Sequence, residues 1–210
     1  MEEKQAIRGT IEGPAGALEV WLEYPKQPLK GVLLVAHPHP LYGGSMSNKV
    51  VHTLARAGLN QGWAALRFNF RGVGESEGEH DHGEGEQADL LAVMDWVCDE
   101  LPGVPVRLAG FSFGARIALM TADEVEPEQL LLVAPPFRLY SDLWGVEQVE
   151  WPWAVFMGDA DELVPFSDVK QWVEKQQLPP DFQVLEGASH FFHGRLVELR
   201  EKIETFLSNV

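Results

Sequence analysis

The sequence predicts an α/β fold built on a mainly parallel sheet, and three observations carry that expectation. The runs 32–36, 63–68, 104–109, 130–134 and 153–157 are mostly apolar, as suits strands covered on both faces. Amphipathic stretches of helical period alternate with these runs, the pattern of strand–helix units packed in layers. Nothing repeats and no low-complexity linker interrupts the 210 residues, so a single domain covering 1–210 is expected.

The elements follow in order. Residues 1–10 are polar and charged, with no apolar core of a signal peptide. In 17–24, Leu18, Val20 and Leu22 alternate with other residues, as in a strand with one wet face. Val50, Val51 and Leu54 begin a helical face that Gly58 loosens or ends. Leu90, Leu91, Met94, Val97, Cys98 and Leu101 share one stripe of a second helix, which assigns Cys98 to the core along with most tryptophans. Val169, Trp172 and Val173 mark a third helix, bounded downstream by Pro179 and Pro180. Residues 182–185 read as a strand. Leu196, Leu199, Ile203 and Phe206 then form a closing helical stripe, with Glu198 and Lys202 spaced to pair.

Composition narrows the function classes. Hydrophobic residues make up 45% of the chain, yet the longest apolar runs are too short to cross a bilayer. Cys98 is the sole cysteine, so an internal disulfide and a cysteine metal cluster are both excluded, and a reducing cytoplasm is the expected compartment. Sixteen basic and 32 acidic side chains give a formal net charge of −16. Such a surface repels phosphate backbones and anionic lipid, so neither nucleic acid nor membrane is an expected partner. It also favours a substrate that is neutral or cationic near the reacting bond.

The strongest local signal is Gly110-Phe111-Ser112-Phe113-Gly114, placed between the apolar run 104–109 and the helix-forming stretch 115–121. Gly-x-Ser-x-Gly occurs by chance in roughly one chain in ten of this length, so its position at a strand-to-helix junction carries the weight. A sharp turn there lifts the serine hydroxyl above the sheet, and flanking glycines remove clashing side chains. The helix N-terminus that follows favours developing negative charge. A serine hydroxyl needs a base, and the base an orienting acceptor. Asp159 and Asp161 follow the run 153–157, and His190 follows the strand expected at 182–185. All these groups stand just beyond strands, where ligands bind in such sheets.

Other motifs lead elsewhere. His37-x-His39 and His80-Asp81-His82 invite a metal reading, but no third cluster with ligand spacing accompanies them. Without a metal, His37 and His39 pack or hydrogen-bond in their loop, and 75–86 is a solvated acidic loop leading into a helix. Gly72-x-Gly74 lacks the third glycine of a dinucleotide loop, and Glu75 and Glu77 would repel phosphate, so it reads as a tight turn.

Taken together, His37-Pro38-His39-Pro40, the segment 70–76 (FRGVGES), the turn at Ser112, Gly158 to Val164 and His190-Phe191-Phe192 resemble the α/β-hydrolases. The similarity is to the small cap-less subgroup related to dienelactone hydrolases and bacterial carboxylesterases, and it runs from about Gly31 to the last helix. The resemblance implies a triad of Ser112, Asp161 and His190. The pattern Gly-x-x-Asp-x-x-Val falls on Gly158, Asp161 and Val164, which leaves Asp159 to shape the turn and favours His190 over His193. It implies an oxyanion hole from the N–H groups of Phe113 and His39, with Leu41 as the alternative to His39, since Pro38 and Pro40 have no N–H. Only a loop separates the strands ending near 134 and beginning near 153, so no large cap is expected. Tyr42, Leu143, Trp144 and Phe192 either wall a small pocket or simply pack their loops. The implied reaction is hydrolysis of a small carboxylic ester through an acyl-enzyme, with no cofactor and no metal. A thioesterase or acyltransferase with the same triad, or a binding protein that keeps the fold without turnover, are the alternatives.

Overall fold

The computed structural model describes residues 6–137, 139–140, 146 and 148–209. Among these residues, eight strands form one sheet: β1 (Ala6–Gly13), β2 (Gly16–Glu23), β3 (Gly31–Ala36), β4 (Trp63–Phe68), β5 (Val106–Phe111), β6 (Leu130–Val133), β7 (Trp153–Gly158) and β8 (Asp181–Leu185). Their spatial order is β1-β2-β4-β3-β5-β6-β7-β8. β1 and β2 pair antiparallel, as do β2 and β4, and every other pairing is parallel. The continuously apolar runs are the interior strands: all residues of β3, β4, β5, β6 and β7 are buried.

β1 has no counterpart among the expected strands. It is an edge strand whose residues alternate between exposed and half-buried. It registers on β2 from Ala6 opposite Glu23 to Gly13 opposite Gly16, across the tight turn at Pro14 and Ala15. The run 104–109 also shifts, because Pro105 has no N–H to give and its carbonyl instead accepts from Val32 at 2.9 Å. β5 therefore begins at Val106 and runs on to Phe111, directly against Ser112.

Among the described residues, six α-helices flank the sheet: α1 (Lys49–Asn60), α2 (Glu84–Glu100), α3 (Phe113–Met120), α4 (Ala122–Val125), α5 (Phe166–Lys175) and α6 (Leu196–Ser208). Parallel crossovers are right-handed, so α1, whose connection runs from β3 back to β4, lies on the face opposite α2, α3 and α5. α6 packs against α1. Gly58 does not end α1, which continues to Asn60; it lets the helix approach the side chain of Leu33 closely.

α2 is rotated from the expected stripe. Its buried face is Glu86, Asp89, Leu90, Val93 and Val97, and Cys98 is exposed. Two buried carboxylates set this rotation. Asp89 holds the Nε and Nη2 of Arg71 at 3.0 and 2.7 Å, and Glu86 accepts the N–H groups of Asp81 and Gly83 at 3.0 and 2.7 Å. The stretch 75–86 is consequently not wholly solvated. In α6, Glu198 pairs with Arg195 rather than Lys202, whose Nζ donates to Gln183 at 3.0 Å. Trp63, Trp153 and Trp172 are buried, whereas Trp21, Trp96 and Trp151 are partly so. No helix among the described residues is long and apolar enough to cross a membrane.

Candidate active site

The chain moves from β3 outward to β4 on one side and then returns to β5 on the other. The sheet therefore has a topological switch point between the carboxyl ends of β3 and β5, where the loops diverge and leave a crevice. Ser112 stands there, between β5 and α3, with φ 54° and ψ −117°. That left-handed backbone costs a non-glycine residue roughly 1–3 kcal/mol and is held from both sides. The Ser112 N–H donates to Val133 at 2.8 Å, and its carbonyl accepts from Ala115 and Arg116 at 2.9 and 3.2 Å. The flanking glycines are required by space: a Cβ on Gly110 would overlap the Gly114 carbonyl, and one on Gly114 the carbonyls of Ala36 and His37.

Asp161 and His190 follow the neighbouring strands β7 and β8 and meet across their loops. His190 Nδ1 lies 2.7 Å from Asp161 Oδ2, and its Nε2 lies 3.1 Å from Ser112 Oγ. Both side chains are buried. Asp161 Oδ1 accepts the N–H groups of Leu163 and Val164 at 2.9 and 2.7 Å, which leaves Oδ2 for the imidazole. Since a carboxylate only accepts, Nδ1 carries the proton and Nε2 presents its lone pair to the serine hydroxyl.

Two further carboxylates tie these loops together. Asp159 Oδ1 accepts the Gly187 N–H at 2.6 Å, so it bridges to the histidine loop rather than shaping its own turn. Glu162 Oε2 accepts the backbone N–H of His190 at 3.0 Å. No sequence signal singled out Glu162, because its partner is a backbone group 28 residues away. His193 lies exposed in the turn before α6.

The loop after β3 is fixed by His37. Its buried ring donates Nδ1–H to the Pro38 carbonyl at 2.6 Å and accepts the Phe70 N–H on Nε2 at 3.0 Å. Accepting the Phe70 N–H requires the neutral ring, and burial pushes its pKa down to about 4. The held carbonyl belongs to the same peptide as the His39 N–H. No peptide bond among the described residues is cis, so that N–H points away from His37. The Leu41 N–H is instead occupied, donating to His39 Nδ1 at 3.2 Å.

Ser112 and His190 open into a cavity of about 620 Å³. Pro38, His39, Tyr42 and Asn48 line it from the β3 side and Pro136, Leu139 and Tyr140 from the β6 side; Phe113, Leu163, Val164 and Phe191 complete it. Tyr42 stands at the mouth, 85% exposed. Phe192 does not line the cavity. Its backbone has φ 51° and its side chain is fully buried in the core, so its neighbour Phe191 takes the wall position. Leu143 and Trp144 lie outside the described residues. His80 packs beside Glu86, with Nδ1 2.7 Å from Oε1. Among the described residues, no group of three or more His, Cys, Asp or Glu side chains is placed to hold a metal ion.

Comparisons with known proteins agree with this fold. A sequence profile of the alpha/beta hydrolase fold matches residues 38–133. An alpha-beta serine hydrolase homologue from Coxiella burnetii is 47% identical, covering 96% of this chain and 97% of that one, with a TM-score of 0.93. XC6422 from Xanthomonas campestris, a serine hydrolase without a lid, is 39% identical over 99% of this chain and 95% of its own, with a TM-score of 0.91. The uncharacterized protein RP471 of Rickettsia prowazekii is 34% identical across 209 residues, 95% of this chain and 88% of its own length. The relatives thus match this chain along nearly its whole length, and the Xanthomonas protein among them lacks a lid, which makes the chain a member of the α/β-hydrolases, in the subgroup without a cap.

Proposed function

We propose that this hydrolase cleaves carboxylic esters through an acyl-enzyme, with Ser112 as nucleophile, His190 as base and Asp161 orienting the base. One observation carries the reading: the continuous contact from Ser112 Oγ to His190 Nε2 at 3.1 Å and from Nδ1 to Asp161 Oδ2 at 2.7 Å, opening into a largely apolar cavity. Ser112 Oγ attacks the ester carbonyl while Nε2 takes its proton, and the imidazolium that forms is stabilised by the buried Asp161 carboxylate. The tetrahedral oxygen is held by the N–H of Phe113, at the first position of α3, and by that of His39. The alcohol leaves with the proton from Nε2. Water then attacks the acyl carbon, again deprotonated by His190, and the acid departs as Ser112 recovers its hydrogen. His39 is favoured over Leu41 as second donor because the Leu41 N–H is already engaged.

The test is labelling with a fluorophosphonate probe, which needs a working nucleophile, base and oxyanion hole but no guess about substrate. The expected result is one adduct on Ser112, absent from Ser112→Ala, followed by turnover of oxygen esters faster than matched thioesters. Folded protein that takes no adduct would overturn the reading.

A further inference from the structure

The cavity has two unlike sides. A base that protonates the departing alcohol must face it, so the leaving group lies toward His190, where Leu163, Val164 and Phe191 form the wall. The acyl group then extends the other way, between the loop after β3 and the residues after β6. The described side chains on that side form a connected run of rings. Tyr42 lies 4.7 Å from His39, His39 5.0 Å from Phe113, and Phe113 5.9 Å from Tyr140, centroid to centroid. The far end is anchored: the Arg116 guanidinium packs 4.5 Å from the Tyr140 ring while its Nη1 donates to the His82 carbonyl at 3.1 Å. Burial, and then the neighbouring His80, hold the His39 pKa below its ordinary value, which favours the uncharged ring.

Two more features bear on the ligand. Among the described residues lining the cavity there is no Asp, Glu, Lys or Arg. Tyr42, Leu139 and Leu163 are 85%, 65% and 53% exposed and all border the cavity. Exposed apolar side chains gathered around one opening mark a recognition surface rather than scattered surface residues. An acetyl group would leave most of the 620 Å³ to water.

We propose that Tyr42, His39 and Tyr140, backed by the buried ring of Phe113, form an acyl subsite for an uncharged aryl group, so that the preferred substrates are esters of aryl-substituted carboxylic acids. This rests on the reading of Ser112 as nucleophile, and the chemistry is unchanged: ester and water become acid and alcohol. Aromatic rings gain from edge-to-face and offset contacts beyond what their buried area supplies. A saturated ring of similar size gains only the area.

The decisive pair of substrates is ethyl 3-phenylpropanoate and ethyl 3-cyclohexylpropanoate, which share a leaving group and differ in the aromaticity of a remote ring. The expected kcat/KM favours the phenyl ester by about fivefold. The preference falls to about one in Tyr140→Leu and is retained in Tyr140→Phe, whose ring can make the same contacts. A carboxylate on the phenyl ring is expected to lower kcat/KM at least tenfold, because that charge would be desolvated without a partner. Equal or faster turnover of the cyclohexyl ester, by protein that takes a fluorophosphonate at Ser112, would overturn the acyl subsite alone. Absence of that adduct would instead overturn the nucleophile reading beneath it, and the subsite with it.

Discussion

The backbone N–H of His190 donates to Glu162 Oε2 at 3.0 Å, joining the loops that follow the paired strands β7 and β8. Three residues earlier in each loop, the Gly187 N–H donates to Asp159 Oδ1 at 2.6 Å. The imidazole is therefore located through its backbone as well as through Asp161. Glu162 is itself exposed, so its side chain can be shortened without opening the core. Glu162→Ala is expected to lower kcat/KM for ester hydrolysis about three- to tenfold, the worth of one hydrogen bond. Glu162→Gln keeps an acceptor oxygen and is expected to stay within about twofold. Steady-state kinetics of the two variants check this, with thermal melts to show that both remain folded.

His190 and His193 separate cleanly. His190 touches both Ser112 and Asp161, whereas His193 is exposed in a turn. His190→Gln is expected to lower kcat by about a thousandfold or more, and His193→Gln to leave most activity. The reverse result would overturn the assignment.

His37 bears on both catalysis and acid stability. Its Nδ1–H fixes the peptide that carries the His39 N–H, so His37→Asn is expected to lower kcat about ten- to a hundredfold with little change in KM, as when oxyanion stabilisation is impaired. Affinity for a trifluoromethyl ketone, which forms the same oxyanion, should fall in parallel.

The pH dependence of stability follows from the same ring. The folded state holds His37 near 4, against about 6.5 in the unfolded chain. Between those values the unfolded state binds more protons, so stability falls as pH drops through this window. This contribution is complete above about 6.5, spent near 4, and amounts to roughly 3 kcal/mol. Urea titrations at stepped pH are expected to show a shallower acid loss for His37→Asn than for the parent.

Strain at the serine is measurable too. With φ at 54°, Ser112→Gly relieves a backbone that a side chain disfavours. That substitution is expected to raise stability by about 1 kcal/mol while abolishing ester turnover. An unchanged or lowered melting temperature would mean that the turn carries little strain.

The candidate site was legible in the sequence wherever a residue's position depends on its own strand. Ser112, Asp161 and His190 each stand just past a strand, and one parallel sheet brings such positions to one edge. Roles set by a contact from elsewhere were not legible. Cys98 sits on a plausible apolar stripe, yet the buried Asp89–Arg71 pair turns α2 so that the cysteine faces outward. Phe191 and Phe192 are indistinguishable in sequence, and the positive φ at 192 decides which one lines the cavity and which enters the core.

By itself, the sequence determined the layered α/β architecture, the strand-to-helix turn at Ser112 and the chain order of serine, aspartate and histidine. Those features rest on local periodicity and on glycines that backbone geometry demands. Only the tertiary structure decided the Glu162 and Asp159 ties, the tautomer of His37, the engagement of the Leu41 N–H and the aromatic run from Tyr42 to Tyr140. Each joins a side chain to a backbone group or ring whose position depends on how loops from different strands fold over the sheet edge, and no local pattern records that.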